Sequence, residues 1–425
     1  MSGMNFLEKL LDGVAVKWKT LEEVANFANG KGHEKDIIED GKYVVVNSKF
    51  ISTDGRVAKF SNIQICPLFK DDILLVMSDL PNGKALSKTF IVDAGDRYTL
   101  NQRIGGITVK NQGEILPKFL HCFLNRTPQL LKYDNGVDQT NLRKDQILGV
   151  KIPIPCPENP KKSLAIQAEI VRILDTFTAL TAELTAALTA ELSDRKKQSN
   201  YYRDRLLNFG DEVPVVQLSR CCVSIADGDH QAPPKTDMGI PFITISNVSN
   251  SYQIDFINTR FVSEAYYGGL DDKRKARKND ILYTVVGSLG IPVFIGDNRK
   301  FAFQRHIAIL RPNGNVIIPK YLYHVLRSSD FLKQAYAVAV GAAQKTITLT
   351  ALNRMKISMP PLEEQARIVA LLDKFDTLTH SISEGLPREI ALRRKQYEYY
   401  RDLLLTFPKP EEVKMHLATV EKSHE

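Results

Sequence analysis

Two glutamine–arginine pairs stand at related places in the two halves of the chain. Gln102-Arg103-Ile104 in the first half corresponds to Gln304-Arg305-His306 in the second. A glutamine amide can bond to the edge of adenine through both of its polar ends, and an arginine guanidinium can do the same with guanine. Contact with base edges is therefore one interpretation of these pairs. The other interpretation is that the matched positions hold the fold.

A basic run in the second half suits a different kind of contact. Lys273, Arg274 and Arg277 belong to the sequence DDKRKARK at positions 271–278. Closely spaced cations of this kind can bind phosphate oxygens without regard to base sequence. A basic run can equally be a solvated loop, so the run is compatible with phosphate contact without requiring it.

Motifs for catalysis, metal binding or membrane insertion are not found. The sequence has no phosphate-binding loop of the Gly-x-x-x-x-Gly-Lys-Ser/Thr type. It also lacks the Asn/Asp-Pro-Pro-Tyr/Phe motif that is typical of adenine methyltransferases. Its 8 histidines and 5 cysteines show no metal-ligand spacing. No apolar run approaches the roughly 18 residues that span a bilayer. We therefore expect a reduced, cytoplasmic protein without a catalytic centre, a metal site or a membrane segment.

The elements that must position these residues are given by an internal repeat. Residues 167–209 recur at 365–407 without a gap, since 365 − 167 = 198 and 407 − 209 = 198. Apolar residues recur every three or four positions, and no Gly or Pro occurs between Leu164 and Phe209. The pattern predicts a helix about 65 Å long, with the second copy interrupted at Gly385-Leu386-Pro387. The second copy is the obvious packing partner, although a coiled-coil dimerisation element is the simpler alternative.

One head precedes each of these copies, and the two heads repeat more loosely. The first contains strand-like runs at 43–46 and 73–77 and a helical patch at 117–124, and a proline-rich connector at 152–157 leads into the long helix. Matching segments of the second head are displaced by 208, 202 and 205 positions, since 278 − 70 = 208, 319 − 117 = 202 and 341 − 136 = 205. Equal order with drifting spacing indicates two heads of one fold with loops of different length.

The chain is long enough for such a division, since its 425 residues exceed the usual size of one domain. Hydrophobic and charged fractions of 43% and 25% are ordinary for a globular protein, and a net charge of +8 is compatible with nucleic acid. The predicted organisation is an N-terminal segment completing a circular repeat (1–15), a first head (16–155), a central helix (156–210), a second head (211–358), a C-terminal helical region (359–408) and a polar tail (409–425).

Several long runs make the chain resemble the specificity subunits of type I restriction–modification enzymes. They are PPLEEQ at 360–365, RRKQYEYYRD at 393–402, VGAAQKTI at 340–347 and TAELTAALTAEL at 181–192. The last resembles the repeat in the spacer helix of the type IC group, whose residues here are Thr181, Leu184, Thr185, Leu188, Thr189 and Leu192. Ala187 stands where the repeat unit would predict Glu.

The resemblance implies an α+β fold with two target-recognition domains of similar mixed structure. Two long conserved helices, packed as an antiparallel coiled coil with a pseudo-twofold axis, would separate them. Each domain would read one part of a split, asymmetric target in double-stranded DNA, and a conserved segment holding Gln139 and Gln344-Lys345 would lie near the DNA.

The resemblance also implies the partners and their cofactors. Two methyltransferase subunits with S-adenosylmethionine would dock on the helices, and two motor-nuclease subunits with ATP and Mg²⁺ would complete the restriction enzyme. This chain would bind no cofactor itself and would be required for both methylation and restriction. Two alternatives remain, namely a free-standing DNA-modifying enzyme with an unrecognised active site and a coiled-coil adaptor that binds only protein.

Overall fold

The chain divides into two compact units that each combine one head with parts of the long helices. The computed structural model describes residues 6–81, 83–229, 233–342, 344–381 and 384–408. Unit 1 comprises residues 1–183 and 394–425, and unit 2 comprises residues 184–393. The predicted tail at 409–425 and the first five residues of the predicted N-terminal segment lie outside the described residues.

Unit 1 contains a mixed head of short strands and helices. Its strands are β1 (Val16–Thr20), β2 (Ala25–Asn29), β3 (Tyr43–Val46), β4 (Phe60–Ser61), β5 (Ile73–Val76), β6 (Ser78–Asp79), β7 (Thr89–Ile91), β8 (Tyr98–Leu100), β9 (Ile104–Val109), β10 (Thr140–Asn141) and β11 (Lys151–Pro155). Its short helices are α1 (Phe6–Leu11), α2 (Leu21–Val24), α3 (Ser48–Ser52), α4 (Pro117–Leu124), α5 (Pro128–Leu131) and α6 (Lys144–Leu148). The strands predicted at 43–46 and 73–77 and the helix predicted at 117–124 are confirmed.

Unit 2 repeats most of this order, although it has no strands equivalent to β6 and β10 among its described residues. Its strands are β12 (Val215–Gln217), β13 (Cys222–Asp227), β14 (Ile240–Ile243), β15 (Arg260–Val262), β16 (Ile281–Thr284), β17 (Pro292–Phe294), β18 (Ala302–Phe303), β19 (Ile307–Pro312) and β20 (Lys356–Ser358). Its short helices are α8 (Glu264–Gly269), α9 (Pro319–Leu326), α10 (Ser329–Val338) and α11 (Leu349–Arg354), with 3₁₀ turns at Leu218–Arg220, Ile245–Asn247 and Asp272–Arg274.

The sheets of the two heads have the same topology. A four-stranded antiparallel sheet has the order β2-β9-β5-β7 in unit 1 and β13-β19-β16-β17 in unit 2. A three-stranded sheet has the order β4-β3-β8 or β15-β14-β18, with one antiparallel and one parallel pairing in each case. Two-stranded pairs β1-β11 and β12-β20 close each head beside the long helices. The prediction of two heads of one mixed fold is confirmed.

The continuous apolar run of β5 is explained by burial on both faces. Ile73 and Leu75 join the core that also contains the helices, whereas Leu74 and Val76 join a second core under β3 and β8. Successive residues of a strand point to opposite faces, so a strand between two cores needs apolar residues at every position. All four residues of β5 are buried.

The first copy of the long repeat forms one uninterrupted helix. Helix α7 (Pro160–Leu206) has 47 residues, which at 1.5 Å per residue is about 70 Å. The second copy forms α12 (Leu362–His380) and α13 (Gly385–Leu405). The predicted interruption of the second copy is confirmed, but it falls before Gly385 and not at 385–387, which form the first turn of α13. Proline is tolerated in the first turn of a helix, where its missing N–H has no intrahelical partner.

The same aromatic contact joins the helices in each unit. In unit 1 Phe177 of α7 stacks on Tyr400 of α13, with ring centroids 5.8 Å apart. In unit 2 Tyr202 of α7 stacks on Phe375 of α12, with centroids 5.6 Å apart. These are equivalent residues of the repeat, because 375 − 177 = 198 and 400 − 202 = 198. The gapless repeat therefore preserves the helix–helix contact within each unit.

A buried glutamine fastens each head to its helix. Gln167 on α7 accepts a hydrogen bond from the backbone N–H of Leu116 (2.9 Å) and donates one to the carbonyl of Glu114 (2.9 Å). Gln365 on α12 accepts one from the N–H of Ile318 (2.8 Å) and donates one to the carbonyl of Pro360 (2.8 Å). Both glutamines are 0% exposed. One glutamine side chain thus holds the backbone just before α4, and the other holds the backbone just before α9.

Replacing Gln365 by alanine is expected to destabilise unit 2, because the N–H of Ile318 would lose the buried side chain that accepts its hydrogen bond. The expected cost is about 1–3 kcal/mol in the free energy of unfolding. Lys374→Ala is the matched control, since Lys374 is exposed on the same helix and such changes usually alter stability by less than about 0.5 kcal/mol. Denaturant unfolding of both variants measures the difference. Equal stabilities would show that Gln365 does not hold the head.

Candidate nucleic-acid interface

Both predicted glutamine–arginine pairs lie in tight turns between a short strand and the central strand of the larger sheet. Gln102 and Arg103 join β8 to β9, and both side chains are exposed. Gln304 and Arg305 join β18 to β19, with Gln304 half-buried and Arg305 exposed. The turns are therefore presented at the same edge of the fold in each head.

A glycine lets another strand end pass directly beneath each turn. A Cβ added at Gly30, after β2, would lie 1.9 Å from the carbonyl oxygen of Asn101. A Cβ added at Gly228, after β13, would lie 2.1 Å from the carbonyl oxygen of Phe303. No side chain fits at either distance, so glycine is required for this approach. The backbone below the turn fixes its position.

The sequence alignment that matched Gln102-Arg103 with Gln304-Arg305 is wrong by one residue. The N–H of Gln102 donates to the carbonyl of Lys31 (3.0 Å), and it is the N–H of Arg305 that makes the equivalent bond, to Asp229 (3.1 Å). The carbonyls of Arg103 and His306 accept equivalent bonds from the strand ends after β5 and β16. Gln102 therefore corresponds to Arg305, and Arg103 to His306. The loops before the two turns differ in length, so spacing along the chain did not fix the alignment. The dipeptide Gln-Arg, which both turns contain, therefore suggested the wrong pairing.

The predicted loop glutamines approach the same strand ends as the turns. Gln139 donates from Nε2 to the hydroxyl of Ser78 (2.8 Å), and the residue before Ser78 donates its N–H to Arg103. In unit 2 the N–H of Gly287 donates to the carbonyl of Lys345 (3.1 Å). The Lys345 ammonium lies 5.8 Å from the centre of the Tyr336 ring. Each head thus brings its turn and its glutamine loop to one strand end.

In unit 2 this arrangement borders a half-open cavity of about 300 Å³. Arg305, His306 and Gln344 line it, together with Asp227 and Thr346. Burial, and after it the positive charge of Arg305, lowers the pKa of His306, which favours the neutral imidazole at pH 7. Among the described residues no carboxylate forms an ion pair with Arg305. Its guanidinium therefore keeps its donors available to a ligand.

The basic run differs from Arg305, because its predicted phosphate-binding cations are already paired. Lys273 pairs with Asp271 (3.3 Å), Arg274 with Asp227 (3.4 Å) and Arg277 with Asp272. A phosphate would have to compete with these carboxylates. Only Arg274 is connected to the cavity, through Asp227.

The spacer residues lie in the middle of α7. Thr189 donates its hydroxyl to the carbonyl of Thr185 one turn earlier (2.6 Å). None of the six predicted residues is buried; they are Thr181, Leu184, Thr185, Leu188, Thr189 and Leu192. This stretch therefore contributes length to the helix without belonging to either core.

Sequence reasoning missed Asp227, His306 and Glu34 as neighbours of the predicted residues. Asp227 and His306 line the cavity in unit 2, and Glu34 accepts a bond from the amide of Gln102 (2.5 Å). A polar-Gly-polar triplet at the end of a strand in each head, at 29–31 and 227–229, is the one sequence pattern that indicates this site.

Within the described residues, neither a metal site nor a membrane-spanning helix is found. None of their clusters of His, Cys, Asp and Glu could hold a metal ion. None of their helices has the length and apolar composition needed to cross a membrane.

Comparison with known proteins identifies the family of this arrangement. The family description "Type I restriction modification DNA specificity domain" matches residues 14–194 and 229–392. The chain belongs to the type I restriction–modification specificity family. The two matched segments fall one in each half of the chain, as the repeat requires. Family membership confirms the resemblance seen in the sequence.

Relatives in this family match over nearly their whole length. The EcoR124I/EcoR124II specificity subunit of Escherichia coli is 36% identical, over 97% of this chain and 100% of its own. A putative type I specificity subunit of Haemophilus influenzae is 32% identical, over 95% of this chain and 98% of its own. A solved chain from work on assembly of the type I restriction–modification system is 19% identical, with a TM-score of 0.61 and coverage of 92% and 97%. The fold is therefore that of specificity subunits.

Proposed function

We propose that this chain is the DNA specificity subunit of a type I restriction–modification complex and that each head reads one half of a bipartite, asymmetric target. The observation that carries the proposal is the turn-and-glutamine arrangement, which occurs in both heads on the same backbone hydrogen bonds. Its exposed side chains differ, with Gln102 in one head and Arg305 in the other. Like backbones with unlike side chains suit two half-sites of different sequence.

We further propose that the long helices dock two methyltransferase subunits. Large apolar side chains remain exposed along them, including Leu180 (56%), Tyr201 (60%) and Tyr399 (61%). Contiguous exposed apolar surface usually marks a protein interface, and we propose that these side chains contribute to such surfaces. The partners would bind S-adenosylmethionine for methylation, and two motor-nuclease subunits would bind ATP and Mg²⁺ for restriction. This chain would contribute recognition alone to both activities.

A reducing, cytoplasmic location agrees with the cysteines. All five are free thiols, namely Cys66, Cys122, Cys156, Cys221 and Cys222. Burial raises the pKa of Cys122 to about 12, which keeps that thiol protonated and unreactive. The proposed partner, DNA, would be bound in the cytoplasm.

Exchanging the first head for that of a relative is expected to change one half of the target and leave the other intact. The exchange should cover residues 16–155, because β11 pairs with β1 and the two strands must come from the same protein. The methylated motif of the hybrid, expressed with its methyltransferase, is the readout.

The matched control exchanges residues 211–358, where β12 pairs with β20, and should change the opposite half. A hybrid in which both halves change together would contradict the assignment of one half-site to each head.

A further inference from the structure

We propose that Gln102 and Arg305 are the same base-reading position in the two heads, with Gln102 reading adenine and Arg305 reading guanine. This inference rests on the proposed function and names the side chains that would set one base pair in each half-site. The sequence alone pairs Gln102 with Gln304, so this equivalence comes only from the backbone.

Three pairs of backbone hydrogen bonds fix the equivalence. The N–H groups of Gln102 and Arg305 donate to Lys31 and Asp229, as described above. The preceding residues, Asn101 and Gln304, donate to the last residues of β3 and β14 (3.2 and 2.9 Å). The N–H groups of Gly30 and Gly228, which follow β2 and β13, donate to the carbonyls of Ile104 and Ile307 (3.1 and 3.2 Å). A side chain at the tip of this turn therefore starts from the same backbone position in either head.

Both side chains have donors to offer. One N–H of the Gln102 amide is bound to Glu34 (2.5 Å), which leaves its second N–H and its oxygen for the N7 and N6 positions of adenine. Arg305 lines the cavity without a carboxylate partner among the described residues. Its two parallel N–H groups match O6 and N7 of guanine.

Neighbouring groups suit this assignment. His306, whose pKa is lowered, adds no second positive charge beside Arg305 at neutral pH. Lys273, Arg274 and Arg277 of the basic run are engaged by Asp271, Asp227 and Asp272 in turn. Arg305 is thus the arginine at the turn that remains free to bind a ligand, while the Asp227 side chain on the cavity wall holds Arg274 (3.4 Å).

Reciprocal substitution tests the inference in the full chain, co-expressed with its methyltransferase in a host without other DNA methylation. Arg305→Gln should convert one guanine of one half-site to adenine, and Gln102→Arg should convert one adenine of the other half-site to guanine. Each variant should favour its new base over the old one by about 5- to 150-fold in binding. Arg305→Lys should retain guanine, because lysine also donates to O6 and N7.

Arg260→Gln is the matched control, since Arg260 is exposed on β15 and does not line the cavity. It should leave the motif unchanged. Unaltered motifs in Arg305→Gln and Gln102→Arg would overturn the inference, as would a change at the same half-site in both. A wild-type chain that directs no sequence-specific methylation would instead refute the proposed function.

Discussion

Deleting Thr185–Leu188 from α7 is expected to shorten the gap between the two half-sites by one base pair without altering either half-site. The deletion removes one four-residue unit from the spacer run, so Leu192 follows Leu184 at the spacing that Leu188 had. None of the four deleted residues is buried. The helix should therefore survive with the same apolar stripe.

The size of the change follows from helix geometry. Four residues of α-helix span about 6 Å and turn about 400°, a net rotation of about 40°. One base pair of B-DNA advances about 3.4 Å and turns roughly 34°. Rotation fits one base pair closely, whereas translation along a helix parallel to the DNA would fit nearly two. The rotation should determine the change in the gap, because a head turned by an extra base pair faces the DNA backbone instead of the groove. A mismatch of a few ångströms in translation can be absorbed by DNA bending.

The methylated motif of the deletion variant measures this effect. Replacing Thr185–Leu188 by four alanines is the matched control, because it keeps the length of the helix and should keep the gap. An unchanged gap in the deletion variant, or an altered half-site, would show that α7 does not set the spacing.

The main elements were predictable because their signals are local. The apolar periodicity of α7 and the absence of Gly and Pro predict a long helix, and the apolar run at 73–77 predicts a strand. The repeat at constant offset predicts equivalent helix contacts, which the Phe177–Tyr400 and Tyr202–Phe375 stacks confirm. Regular spacing therefore carries enough information for the framework.

The candidate site was less predictable because it is assembled from distant segments. The cavity combines Asp227 with Arg305 and Gln344, which are far apart in sequence. Identical letters placed Arg103 opposite Arg305, whereas hydrogen bonds place Gln102 there. The basic run at 271–278 likewise did not predict that Arg274 pairs with Asp227, 47 residues away. Such contacts depend on the fold and leave no periodic trace in the sequence.

The second large effect concerns the activity of the complex, which is expected to depend wholly on this chain for its target. Purified alone, the chain should transfer no methyl group from labelled S-adenosylmethionine to duplex DNA, because its proposed role is recognition. With its methyltransferase partner present, methylation at a defined motif should appear. Methyl transfer by the isolated chain would favour the alternative of a free-standing enzyme.

Sequencing of modified bases across the genome of the host, with and without this gene, tests the central claim most directly. We expect one methylated motif with two unlike parts separated by a fixed gap, and we expect it to disappear when the gene is deleted and to return when the gene is restored. A pattern of methylation that is the same in both strains, or a lost motif that is a single continuous sequence, would contradict a two-headed DNA specificity subunit.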